Sequence, residues 1–119
     1  MTVKEILAQL ESLGSEKLRA HNRKYGVGEN QYGVKMGDIR NLAKPLKTNH
    51  PLAMELWETG NMEARLLAIL IMDPEQLTNQ KLDELVRSET SPHVADWLAA
   101  YVIKAYPDRE TLRLEWMQS

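Results

Sequence analysis

At 119 residues the chain is one domain by length, and such a chain can bury about two-thirds of its unfolded surface. A hydrophobic content of 43% excludes disorder, and the absence of cysteine excludes disulfides, thiol nucleophiles and thiolate metal sites. The net charge of -2 excludes a strongly basic nucleic-acid binder, but the charge is uneven: residues 1–50 carry nine Lys/Arg against five acids, and residues 51–119 carry six against twelve. That asymmetry fits either an anion-facing first half or an ordinary solvated surface.

In chain order, Thr2 and Glu5 form a capping box ahead of a stripe of Val3, Ile6, Leu7, Leu10 and Leu13. Gly14 ends that helix, and Ser15 caps a second one running to about residue 25. Gly26, Gly28 and Gly33 predict an irregular loop. A third helix begins near residues 36–38, capped by Asp38, with Ile39, Leu42, Ala43 and Leu46 inward and Pro45 kinking or shortening it. Asn49 caps a fourth helix with Pro51 in its first turn. Gly60 stops it, and Asn61 caps a fifth over 62–72. Asp73-Pro74 breaks that helix, and Thr78 opens one to about residue 87. Ser91-Pro92 opens the next, whose apolar face holds Val94, Trp97, Leu98, Tyr101 and Val102. After Pro107-Asp108 a last helix starts at residue 109. No segment alternates with period two for long enough to form a strand.

The second half repeats. Leu52, Glu55, Leu56 and Trp57 are echoed by Leu82, Leu85 and Val86 and again by Leu112, Glu115 and Trp116. Leu67, Ala68 and Ile71 are echoed by Trp97, Leu98 and Tyr101. A period near 30 residues built of helix pairs is the pattern of an α-solenoid, and a plain helical bundle would resemble it. The expected fold is therefore all-α, about eight short helices in antiparallel pairs. The third unit supplies only its first helix. Leu112, Leu114 and Trp116 do not make the polar outer face of a terminal repeat, so the reading is of a truncated single domain or one that self-associates through its last helix.

The longest apolar run, residues 66–72, is too short to cross a bilayer, and the N-terminus carries acids and no signal-peptide core, so a cytoplasmic protein is expected. His21, His50 and His93 have no metal-ligand spacing, and no P-loop, Rossmann or nucleophile-elbow pattern is present. Arg40 and Lys44 stand four apart on one helix face, with Lys35 at the helix entry. Their chemistry suits phosphate oxygens, and an inter-repeat salt bridge is the structural alternative for Arg40. Arg65 can reach phosphate or tie Glu58 or Glu63. Arg23 and Lys24 can clamp a backbone or simply favour a helix C-terminus. Trp57, Trp97 and Trp116 can stack on bases, but Trp57 and Trp97 lie on apolar stripes and suit core packing better.

The segment Gly26-Val27-Gly28-Glu29-Asn30-Gln31-Tyr32-Gly33-Val34, followed by Asp38-Ile39-Arg40-Asn41-Leu42-Ala43-Lys44, resembles the opening of the bacterial DNA alkylation repair family of AlkD-like proteins. Leu56-Trp57-Glu58-Thr59-Gly60-Asn61, then Glu63-Ala64-Arg65 and the helix ending Met72-Asp73-Pro74, resemble its next part. The resemblance covers roughly residues 12–106. It implies a HEAT-like α-solenoid that cradles duplex DNA, and a glycosylase that removes N3- or N7-alkylated purines. Such a base is already a good leaving group, so the resemblance implies no metal or cofactor, only a carboxylate beside the sugar to stabilise developing positive charge. The family's catalytic acid lies in a pattern resembling Trp-Asp-x-x-Asp. The matching position is Asp96, with Pro92 where the aromatic would stand and His93 where the first acid would. The resemblance thus implies Asp96 as the catalytic residue, and with duplex DNA as the implied partner the candidate contacts are the basic residues Arg23, Lys24, Lys35, Arg40, Lys44 and Arg65. Two functions follow: the DNA-binding part of an alkylpurine glycosylase, or a non-catalytic HEAT-like module binding DNA or protein.

Overall fold

A computed structural model of the chain describes residues 2–24, 31–88, 92–107 and 109–118, apart from the side chains of residues 92, 93, 109, 112, 115 and 118. The expected loop glycines Gly26 and Gly28 and the expected cap Ser91 lie outside these residues, as do the side chains of His93 and Leu112. Among the described residues the fold is all-helical: α1 (Val3–Leu13), α2 (Glu16–Lys24), α3 (Met36–Leu46), α4 (His50–Glu58), α5 (Met62–Ile71), α6 (Asn79–Arg87), α7 (Pro92–Trp97) and α8 (Arg109–Gln118). A short 3₁₀ turn, Pro74–Gln76, follows α5. A π-helical segment, Leu98–Ile103, continues α7 without a break. The molecule measures 42 × 31 × 20 Å between Cα extremes, a slab about two helix diameters thick.

Local chemistry sets most boundaries. Thr2 and Glu5 make the capping box in both directions, Asn49 accepts from the Leu52 N–H, Asn61 from Ala64 and Thr78 from Lys81. Asp38 does not cap α3. Lys35 occupies that position without a side-chain cap, and Asp38 stands in the first turn, where its charge favours the helix dipole. Pro45 does not shorten α3 before Leu46, because it falls in the last turn.

The core is organised around α5. Met62, Glu63, Ala64, Leu66, Leu67, Ala68, Ile69 and Ile71 are all buried, and α1, α3, α4, α7 and the π-helical segment pack on it. A helix apolar nearly all round is one surrounded by other helices. Ile6, Leu10, Ile39, Leu56, Leu82, Leu85 and Leu98 fill the remaining core. Polar ties between units recur at the repeat spacing. Trp57 Nε1 donates to Ser88 Oγ at 3.0 Å, 31 residues away, and Trp116 Nε1 donates to Asp83 Oδ1 at 2.9 Å, 33 residues away. Trp116, half-buried, thus ties α8 to α6, while Leu114 and Met117 face solvent.

Beyond α7 the apolar face differs from the expected one. Val94, Leu98 and Val102 are buried at intervals of four, in a segment where the Lys104 N–H bonds the Ala99 carbonyl in the i→i+5 pattern of a π-helix. Trp97 and Tyr101, also four apart, form a parallel row one position to the side. Trp97 is half-buried and Tyr101 is 43% exposed.

Candidate nucleic-acid interface

Helix α3 presents Arg40 and Lys44 on one exposed face, one turn apart. With Ala43, Lys47, Thr48 and Leu70 they line an open groove of about 420 Å³, so its lining carries three cations and no acid. Lys47 ends α3 with φ 53° and ψ -143°, a conformation that suits glycine and strains a residue bearing a Cβ.

Arg40 also reaches across to α7. Its guanidinium carbon lies 5.0 Å from the Trp97 ring centre, within cation–π range, and its Nη2 donates to the Tyr101 hydroxyl at 3.3 Å. The Trp97 and Tyr101 rings are 5.5 Å apart and tilted by 59°. A cation–π contact to Trp97 and a hydrogen bond to the Tyr101 hydroxyl, rather than the alternative of an inter-repeat salt bridge, thus tie Arg40 to α7 and the segment after it, the hydrogen bond spanning 61 positions. Sequence reasoning missed Tyr101 because it was assigned to the buried stripe; a π-helical register leaves little trace in residue pattern. It also left out Lys47, whose signal was a cation directly after the proline-containing turn of α3.

The other expected contacts are placed differently. Lys35 is exposed at the start of α3 and lines a separate groove of about 310 Å³ with Leu18, His21, Asn22, Val34 and Met36. Arg23 pairs with Glu16 at 3.3 Å, and Lys24 is the exposed last residue of α2. Arg65 is turned inward. Its Nε donates to the Trp57 carbonyl and its Nη1 to the Ser88 carbonyl, both at 3.0 Å, and its guanidinium lies 4.7 Å from the Trp57 ring centre. It joins α4 to the end of α6. Asp96 is exposed beside Trp97, with no hydrogen bond or ion pair among the described residues.

Glu63 is fully buried, and its carboxylate is committed elsewhere. It accepts the N–H groups of Tyr32 at 2.7 Å, Gly33 at 3.2 Å and Val34 at 3.3 Å, which fixes the chain just before α3. Burial pushes the Tyr32 phenol above its ordinary value of 10.0, helped by the negative charges of Glu11 and Glu63. Among the described residues no group of three His, Cys, Asp or Glu could hold a metal, and no helix is long and apolar enough to cross a membrane.

A family model described as DNA alkylation repair enzyme matches residues 6–119. The chain belongs to this DNA alkylation repair family. Two curated proteins of similar sequence are uncharacterised Listeria proteins. One, from Listeria innocua serovar 6a, is 29% identical over 92 residues, covering 74% of this chain and 41% of the relative. The other, from Listeria monocytogenes serovar 1/2a, is 28% identical over the same length and coverage. A solved structure superposes with a TM-score of 0.89 at 27% identity, covering 99% of this chain and 50% of its own. It is described as one of a new family of proteins related to the HEAT-like repeat DNA glycosylases with affinity for branched DNA structures. The chain thus has a HEAT-like repeat fold and spans about half the length, or less, of these relatives.

Proposed function

We propose that this chain is a DNA-binding HEAT-like module that grips the phosphate backbone through Arg40, Lys44 and Lys47. The observation that carries this reading is the acid-free groove beside an Arg40 already oriented by Trp97 and Tyr101. A guanidinium held in place loses less conformational entropy on binding phosphate, and Arg suits that geometry better than Lys. Lys24 and Lys35 are further exposed cations. The affinity of the solved neighbour for branched DNA supports the same ligand class here, with duplex arms supplying the phosphates.

The test is the salt dependence of binding to a fluorescent duplex. Each phosphate neutralised contributes a slope of about 0.9 in log affinity against log salt. Lys44→Ala should lower that slope by about one contact. No binding at low salt would overturn the proposal.

The glycosylase reading rests on Asp96 as the acid beside the sugar. Its support is an exposed carboxylate next to an aromatic residue in a DNA alkylation repair fold. A solvent-exposed carboxylate with nothing to orient it stabilises charge weakly, because water screens it. This favours binding without catalysis in this chain. Release of 7-methylguanine from methylated duplex, lost in Asp96→Asn, would reverse that preference.

A further inference from the structure

We infer that the Trp97–Tyr101 row, with Arg40 beside it, is a seat for one unstacked nucleotide. The inference rests on the DNA-binding reading and names what that surface distinguishes. Three observations carry it. Tyr101 is 43% exposed, although it belongs to a segment whose neighbours Leu98 and Val102 are fully buried. Trp97 packs partly against the core and so provides a fixed wall, whereas Tyr101 is not among the side chains packed there. The rings are tilted by 59° rather than stacked, so the Tyr101 ring is left available to a flat partner.

Arg40 supplies the other half of a nucleotide site. Its guanidinium has five N–H donors, one of which goes to the Tyr101 hydroxyl. Arg40 also lines the groove of Lys44 and Lys47, and its guanidinium lies 5.0 Å from the Trp97 ring centre. A base lying on Tyr101 therefore has a phosphate-binding group within one side chain. In a continuous duplex both faces of each base are covered by neighbouring pairs, so the ring finds no partner there. At a bulge, flap or junction a base is already unstacked and can lie on the ring without a further unpairing cost. The site should accept any base, since stacking uses the π face and not the hydrogen-bonding edge.

The experiment compares a continuous duplex with the same duplex carrying one unpaired 2-aminopurine, titrated with the whole chain. The wild-type protein should prefer the interrupted duplex by about 10-fold, the scale of one stacked base, and should quench the 2-aminopurine emission. Tyr101→Ala should bring the ratio to about one and abolish the quench, the interrupted duplex losing about 10-fold more affinity than the continuous one, whose own loss reflects only the hydroxyl contact to Arg40; Tyr101→Phe should retain both preference and quench. Tyr101 is exposed, so both variants should fold, which circular dichroism checks. Duplex binding without a wild-type preference or quench, or a Tyr101→Ala variant that loses affinity equally for both DNAs, overturns the seat and leaves the DNA-binding reading standing. Failure to bind either DNA overturns both.

Discussion

The Glu63 carboxylate accepts the Gly33 N–H at 3.2 Å across 30 residues of sequence, and the Tyr32 and Val34 N–H groups complete a three-donor cradle around it. Gly33 has φ 74°, and a Cβ there would collide with the Ser15 carbonyl. The motif that marks the family in sequence is therefore clamped to the first turn of α5. Glu63→Ala leaves three N–H groups without their acceptor, two of the three hydrogen bonds being buried. The expected loss is about 3 kcal/mol or more, read by urea unfolding. Glu63→Gln keeps one acceptor oxygen and should lose less. A Glu63→Ala protein as stable as wild type would mean that water replaces the carboxylate.

Arg65 and Lys44 are both cations on the family motif, and the structure separates their tasks. Arg65 donates to two backbone carbonyls and covers Trp57, while Lys44 lines the open groove. Arg65→Ala should cost about 2 kcal/mol of stability, and Arg65→Lys nearly as much, because an ammonium cannot bridge both carbonyls as the fork does. DNA affinity of the folded protein should be unchanged in either. Lys44→Ala should show the converse, with unaltered urea midpoint and weaker binding. Equal effects of the two substitutions on DNA affinity would contradict the division.

Lys47 is held in a strained backbone conformation at the groove, where glycine would sit at less cost. Lys47→Gly should raise stability by about 1 kcal/mol while weakening duplex binding and reducing its salt slope by about one contact. Lys47→Ala removes the charge without relieving the strain, and should weaken binding with no gain in stability. A gain from both variants would place the stabilisation in charge relief instead.

Much of this fold was legible in the sequence for local reasons. Thr2, Asn49, Asn61 and Thr78 announce helix starts because their side chains bond the next turn directly. The all-helical, HEAT-like arrangement followed from the repeated apolar stripes and the residues 32–44 motif. The cluster was not legible. Arg40, Trp97 and Tyr101 meet through tertiary packing, and the π-helical turn that moves Tyr101 off the buried face depends on hydrogen bonds no residue pattern encodes. Glu63 entered the sequence reading only as an acid that Arg65 could tie. Its burial is explained only by backbone donors 30 residues earlier.

His50 provides a pH test outside the proposed interface. Its Nδ1 accepts the Asp73 N–H at 3.0 Å, which requires a neutral ring with that nitrogen unprotonated. Burial holds its pKa below the ordinary 6.5, with Lys81 acting in the same direction and Asp73 opposing. The unfolded chain then binds a proton near pH 6.5 that the folded chain refuses, so stability is full above that value and falls as pH drops toward the folded pKa. Asp83, whose pKa is lowered by hydrogen bonds from Arg87 and Trp116, acts lower still, below its ordinary 3.8, so the two windows are distinct. Urea midpoints at pH 7.5 and 5.5 should therefore fall in wild type and change less in His50→Gln, which keeps an acceptor but cannot titrate. An equal fall in both proteins would assign the acid sensitivity to other groups.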